Sequence, residues 1–261
     1  MGLSGVPFWS NDIGGYRGMP ERDLYVRWAQ FGLFCSHSRM HGDSPREPWI
    51  FGDEALAIVR RYVGLRYQLF PYLYAAAFEA HRTAMPVMRA LALMWPDDPH
   101  ALSCDQQYML GPSLMVAPVV HPSGRKTVYL PEGIWIDHRT GERIRGPVWL
   151  KLQVPLDTLP LYVRAGAVIP MLERGVKITD GKFTRLILDI YPEQASSMVF
   201  SDDDGETRVK VTPGRDSVVV SWEAPVDRTY RLQVHVGSSD GQVVLEGETG
   251  WSHKGSLLIS V

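Results

Sequence analysis

The chain has 261 residues, about 45 % apolar and 21 % charged, with a formal net charge of −2. That balance excludes an intrinsically disordered chain and allows a sizeable core. It leaves no global field that would draw in nucleic acid or an anionic membrane, so a neutral or weakly polar partner is expected.

In chain order, the first informative stretch is FWSNDIGGY, residues 8–16. Asp12 stands where a strand would run into a turn, and Gly14 and Gly15 let the backbone reverse without steric cost. MPERDLYVRWAQFGLF predicts the first helix. Pro20 suits its first turn, Glu21 and Asp23 its positive end, and Leu24, Trp28 and Phe31 make one apolar stripe. HSRMHG, residues 37–42, follows at the end of that helix. A second helical pattern runs from about Asp53 to Arg82, with a kink or break expected at Pro71. MPVMRALALMW, apolar throughout and ending at the turn PDDP, predicts an interior parallel strand. A short helix is expected over 105–111 and another buried strand at SLMVAPVV.

From about residue 119 the texture changes to short strands broken by Gly, Pro and Asp. In TYRLQVHVG, Tyr230, Leu232, Val234 and Val236 alternate with polar residues, the period of a sheet with one wet face. TRLILDIYP, SVVVSWEA, GQVVLEG and GSLLISV are similar, and their spacing suggests a β-sandwich. A loose boundary is expected near residues 172–182.

Cys35 and Cys104 are too far apart in sequence for a disulfide framework or a zinc site, which points to a reducing, cytoplasmic setting. No secretory leader is read at the start, and no run approaches the ~18 continuous apolar residues of a membrane helix.

For chemistry, Asp12, Arg39 and His41 offer a carboxylate, a guanidinium and an imidazole that can bind hydroxyl groups directionally. The competing reading has Asp12 capping a turn and Arg39 pairing with a structural acid. His37 and His41 are four apart, but Gly42 and Pro45 end the helix that would align them, so no metal is expected. FSDDDGET, residues 200–207, has adjacent rather than alternating acids and reads as a hairpin tip, not a calcium loop. No phosphate loop, nucleophile elbow or Cys-x-x-Cys occurs, and no cofactor is expected.

Taken together, GVPFWSNDIGGY, RWAQFGLFCSHSRMHG, PYLYAAAFEAH, PVMRALAL…PDDP, DQQYMLGPSLMVAPV, VYLPEGIWID and LPLYVRAGAVIPM resemble, in that order, glycoside hydrolase family 31, the α-glucosidase and α-xylosidase family. The resemblance implies a fold of α/β plus all-β class. Residues 1–118 would be the last βα units of a (β/α)8 barrel, 119–175 a proximal C-terminal β-domain and 176–261 a distal β-sandwich. It implies part of a retaining, exo-acting α-glycosidase taking terminal α-linked xylose or glucose from an oligosaccharide, with the α-xylosidase branch favoured. Asp12 and His41 match sugar-binding positions, Tyr16 an aromatic near the same pocket, Trp9 part of the lining and Arg39 an orienting role. The family's nucleophile and acid/base aspartates lie in motifs that precede FWS-x-Asp-Ile-Gly-Gly, so none of this chain's residues is expected to be catalytic, and the chain is expected to be a fragment or the product of a truncated gene, inactive alone. A non-catalytic carbohydrate-binding or scaffold module is the alternative. Association with further copies stays open.

Overall fold

The structure, a computed structural model, describes residues 1–175, 183–238, 241–250 and 252–260. The expected boundary near 172–182 therefore falls largely on residues outside the described ones.

Two extended segments, near residues 9–13 and 37–41, run parallel and meet at Asp12 and Arg39. The Ile13 amide donates to the Arg39 carbonyl (3.2 Å), and the His37 amide to that of Trp9 (3.3 Å). Helix α1 (Arg22–Gly32) connects them, which makes one βαβ unit. Side chains alternate along the first segment. On the helix side, Trp9 lies 6.0 Å from Phe31 and Trp28 Nε1 donates to Asn11 Oδ1 (2.9 Å). A Cβ on Gly32 would stand 2.4 Å from Ile13, so strand and helix touch through glycine.

The buried face of α1 is Tyr25, Val26, Ala29 and Gly32, not the expected stripe. Leu24 is 53 % exposed, and Trp28 and Phe31 are half-buried. Close approach to Ile13 selects Gly32 for the contact and turns the bulkier stripe outward. Pro20 also lies just before the helix, whose N-cap is Glu21.

Helices α2 (Asp53–Gln68) and α3 (Phe70–Thr83) are separated at Leu69, with Pro71 in the first turn of α3, as its missing N–H requires. Arg66 on α2 donates to the carbonyls of Leu33 (2.6 Å), Cys35 (2.7 Å) and Ser36 (3.0 Å), satisfying acceptors left at the end of α1.

The chain then builds β1 (Met88–Arg89), α4 (Leu91–Met94), α5 (Pro99–Ser103), β2 (Tyr108–Leu110), β3 (Leu114–Val116), β4 (Arg125–Asp137), β5 (Arg143–Gln153) and β6 (Leu161–Arg164). The strands form one sheet in the order β1-β2-β3-β6-β4-β5, antiparallel at every pairing. Two expectations are corrected here. MPVMRALALMW is a two-residue antiparallel strand and a short helix, and residues 108–110 are strand, not helix. Burial on both faces, which reads as a parallel strand, arises because this sheet separates two cores. One holds Met88, Leu110 and Val163 beneath α1–α3, the other Met109, Tyr129, Trp135 and Tyr162. The sheet thus pairs residues 88–116, which the sequence reading groups with the barrel segment, with strands from beyond residue 119.

The second sheet contains β7 (Val168–Met171), β8 (Arg185–Ile190), β9 (Ser196–Asp202), β10 (Gly205–Pro213), β11 (Ser217–Ser238), β12 (Gly241–Glu248) and β13 (Ser252–Ser260). SVVVSWEA and TYRLQVHVG, which read as separate strands, are the two halves of the 22-residue β11. The first half pairs with β10 and β13, the second with β12 and, in parallel, β8. Val220, Trp222, Tyr230, Leu232 and Val234 face a common core. FSDDDGET is the β9–β10 hairpin. Asp202 accepts from both Arg228 Nη atoms (2.5 and 3.0 Å), a fully buried pair, and Asp203 accepts from Tyr74 of α3 (2.6 Å). Among the described residues no helix is long and apolar enough to cross a membrane.

Lys126 occupies an inward position of β4, in line with Val128 and Leu130, and its Nζ donates to the Gln106 carbonyl (2.6 Å). Burial lowers its pKa from 10.5 to about 8. Below pH 8 folded and unfolded chains both hold the proton, and the folded chain carries a desolvated charge. Between pH 8 and 10.5 the unfolded chain binds the extra proton, so stability should rise with pH. Thermal melts at pH 7 and pH 9 should show the wild type gaining on Lys126→Met over that interval, with the variant the more stable at pH 7.

Candidate functional site

The rim opposite α1 starts at Asp12. The Gly15 amide donates to the Asp12 carbonyl (2.8 Å), closing a turn in which Gly14 has φ 86° and Gly15 φ 80°. These left-handed values favour glycine, and a Cβ on Gly14 would also press on Arg46 at 3.0 Å. The turn aims the Asp12 carboxylate at the parallel neighbour. Arg39 Nε and Nη2 approach Asp12 Oδ1 at 2.7 and 2.6 Å. The Asp12 side chain is 20 % exposed and that of Arg39 59 %. The carboxylate is therefore held, yet among the described residues none donates to Oδ2, which keeps its acceptor capacity.

Beyond the turn, Tyr16 lies 5.5 Å from His41, ring centre to ring centre, with the planes 47° apart. Both are exposed. Asp12, Tyr16, Arg39 and His41 thus come from two loops that face each other. Trp9 does not join them, because its ring packs on Phe31 on the helix side of the strand. His37 stands edge-on to Phe8 at 6.0 Å, in the extended segment after α1 has ended. Among the described residues no three His, Cys, Asp or Glu side chains gather as a metal site would require.

What holds the two loops together is a residue that the sequence reading passes over. Arg46, 4 % exposed, donates to the carbonyls of Gly15 (2.7 Å), Gly18 (2.6 Å), Ser44 (3.0 Å) and Pro45 (3.1 Å) and to Ser44 Oγ (2.6 Å). Its own carbonyl accepts from Tyr25 (2.8 Å), whose ring stacks on Phe51 at 3.7 Å. Asp43 completes the seam: its amide donates to the Tyr16 carbonyl (2.7 Å), and its Oδ1 accepts from the Gly18 amide (2.9 Å). An arginine shortly after a His-Gly turn carries no periodicity that would betray this role; only the proximity of Gly14 and Gly42 to its side chain reveals it.

Chemically, the rim offers a carboxylate, two cation-capable groups and an aromatic face around open space, a set suited to a neutral polyhydroxylated ring. It holds no prepared thiol nucleophile. Cys35 is buried behind the strand, and burial pushes its pKa up to about 12. A cavity of about 980 Å3 lies on the helix side among Leu24, Trp28, Phe31 and Tyr108 and includes none of the four rim residues.

Comparisons with known proteins converge. The model of the glycosyl hydrolases family 31 TIM-barrel domain matches residues 1–76, and that of the glycosyl hydrolase family 31 C-terminal domain matches 84–169. An alpha-xylosidase of Saccharolobus solfataricus is 38 % identical over 213 residues, covering 78 % of this chain and 29 % of the relative. Alpha-glucosidase 2 of Bacillus thermoamyloliquefaciens is 32 % identical over 268 residues, covering 95 % and 34 %. Among solved structures, a variant of the Flavobacterium johnsoniae family 31 dextranase complexed with isomaltotriose superposes with a TM-score of 0.83 at 34 % identity, covering 91 % of this chain and 33 % of that one. The Xanthomonas citri family 31 alpha-xylosidase gives 0.82 at 26 % identity, covering 99 % and 32 %. The chain spans about a third of the length of these relatives.

Replacing Arg46 by Met should leave the Gly15 and Gly18 carbonyls without their charged donor and cost about 3 kcal/mol. Thermal unfolding should show the loss, and hydrogen exchange should quicken at residues 14–18 and 42–46 before it does in β4.

Proposed function

The chain belongs to glycoside hydrolase family 31, and on that premise we propose that it forms the sugar-cradling part of a retaining, exo-acting α-glycosidase. Its rim receives the terminal α-linked xylose or glucose of an oligosaccharide, xylose being preferred. Asp12 accepts hydrogen bonds from ring hydroxyls, Arg39 fixes that carboxylate, His41 contacts the sugar and Tyr16 presents an aromatic edge.

The observation that carries this reading is the doubly held Asp12 carboxylate. Oδ1 is occupied by Arg39 at 2.6–2.7 Å, while the side chain stays partly open to solvent. An anchored acceptor of that kind suits a binding carboxylate. A retaining mechanism needs two carboxyls about 5–5.5 Å apart across the scissile bond, one as nucleophile and one as acid/base. In the rim the acids are Asp12 and Asp43, and Asp43 is spent on the Gly18 amide. The reading therefore assigns hydrolysis to carboxyls that these rim residues do not supply, and gives this polypeptide no turnover of its own.

Titration calorimetry of the 261-residue polypeptide with xylose and glucose should detect weak binding that Asp12→Asn and His41→Ala each weaken tenfold or more, because the first removes the charge that strengthens the bonds accepted from ring hydroxyls and the second removes a hydrogen bond outright. The same polypeptide should leave p-nitrophenyl α-xyloside intact. Hydrolysis that vanishes when one of its own acids becomes the amide would refute the assignment.

A further inference from the structure

A second cleft, of about 620 Å3, opens on the edge of the first sheet and shares no residue with the rim. Its floor is aromatic. Tyr129 on β4 and Trp149 on β5 are register partners, so their side chains share one face, with ring centres 4.8 Å apart. His100 of α5 packs 5.3 Å from Tyr129 and stands edge-on to Trp149 at 5.8 Å and 86°. Tyr129 is 2 % exposed and Trp149 44 %, while Trp95 on the same cleft is half-buried and the smaller His100 ring is exposed, so the widest aromatic face open to solvent is that of Trp149. The walls are polar: Asp97, Asp98, His100 and Glu132 border it.

This shape is built, not incidental. Asp98, the N-cap of α5, accepts from the His100 amide (2.9 Å), the Ala101 amide (3.3 Å) and Tyr129 Oη (2.7 Å), locking the start of that helix onto the aromatic floor. The β4–β5 register shifts between Leu130 and Gly133, which pushes Pro131 and Glu132 out of the ladder. The displaced Pro131 carbonyl sits where a Cβ on Gly146 would be, 2.0 Å away, so only glycine lets the bulge settle and present Glu132. The Trp135 indole fixes that same carbonyl at 2.8 Å. Glu132 and Asp97 are exposed.

We propose that this cleft is an accessory carbohydrate-binding site, in which Trp149 stacks on one sugar ring of a neutral oligosaccharide and Glu132, Asp97 and His100 bind its hydroxyls. The class of ligand follows from the surface. An aromatic cage for an organic cation needs several open indole, phenol or phenyl faces converging on one point, and among those lining this cleft Trp149 is exposed while Trp95 is half-buried and Tyr129 buried. One flat face edged by hydrogen-bonding groups matches the apolar face and equatorial hydroxyls of a pyranose. The site lies on the sheet edge, so it would hold a chain at a distance from the rim instead of the terminal residue that the rim takes.

Native gel electrophoresis of the full chain in dextran, followed by calorimetry with maltotetraose and with xylose, tests this. The wild type should be retarded in dextran. Trp149→Ala should lose at least fivefold in affinity for maltotetraose while xylose binding is unchanged. Trp149→Tyr, which keeps a stacking face, should retain most of the affinity, and Glu132→Gln should lose about twofold to threefold. Asp12→Asn should weaken xylose binding tenfold or more yet leave retardation by dextran intact. Absence of retardation, or a Trp149→Ala chain that folds by circular dichroism and binds maltotetraose like the wild type, overturns the proposal. Failure of xylose binding alone would count against the rim and leave the cleft standing.

Discussion

The guanidinium of Arg46 is the constraint on which the rim depends. It is a buried cation that meets no carboxylate among the described residues; its hydrogen bonds go to backbone carbonyls and one hydroxyl. Burying a charge is costly unless its donors are all engaged, and five donors in a rigid fork impose one arrangement on the acceptors around them. The acceptors belong to the loop after Asp12 and to the loop after His41. The spacing of Tyr16 from His41, and the approach of Arg39 to Asp12, are set by the same fork that joins their loops. Gly14 and Gly42 are small because this side chain passes against them.

The βαβ unit that carries the rim is in turn buttressed by the first sheet. Arg27 on α1 donates to the carbonyls of Val154 and Thr158 (both 2.8 Å), and Gln30 to that of Leu156 (2.7 Å). Tyr62 on α2 donates to Asp157 (3.0 Å) and accepts from the Leu159 amide (2.6 Å), while Arg61 adds a further contact to Asp157. These polar clasps bind the helices to the 154–159 loop, and Tyr72 of α3 reaches both Leu110 (2.7 Å) and Ser113 (2.9 Å). The helices are thereby pinned between the rim and the sheet, so a displacement at either is resisted by the other. A less direct link joins α3 to the second sheet, where Tyr74 meets Asp203 and Arg82 meets Glu206.

Much of this was legible in residue order, and the failures have a common cause. Pro71 marked the break between α2 and α3, because a missing N–H acts locally. The Asp-Gly tip of β9–β10 and the alternation in TYRLQVHVG were equally local signals. Leu24, Trp28 and Phe31 misled, because periodicity reports that a face is apolar and not which neighbour it meets. MPVMRALALMW misled because burial on both faces has more than one architectural origin. Trp9, adjacent in sequence to the rim, points the other way, since neighbouring side chains on an extended segment face opposite sides.

By itself the sequence determined the family, the order of its segments and the residue types brought to the rim, because recurrent phrases such as FWSNDIGGY and HSRMHG carry chemistry in short windows. Only the tertiary structure decided which of those side chains converge, that Arg46 holds them, and that Trp149 is left open on a sheet edge. Each of those depends on strands and loops separated by tens of residues meeting at fixed distances. Hydrogen-bond geometry and close packing impose such distances only once the chain has closed on itself.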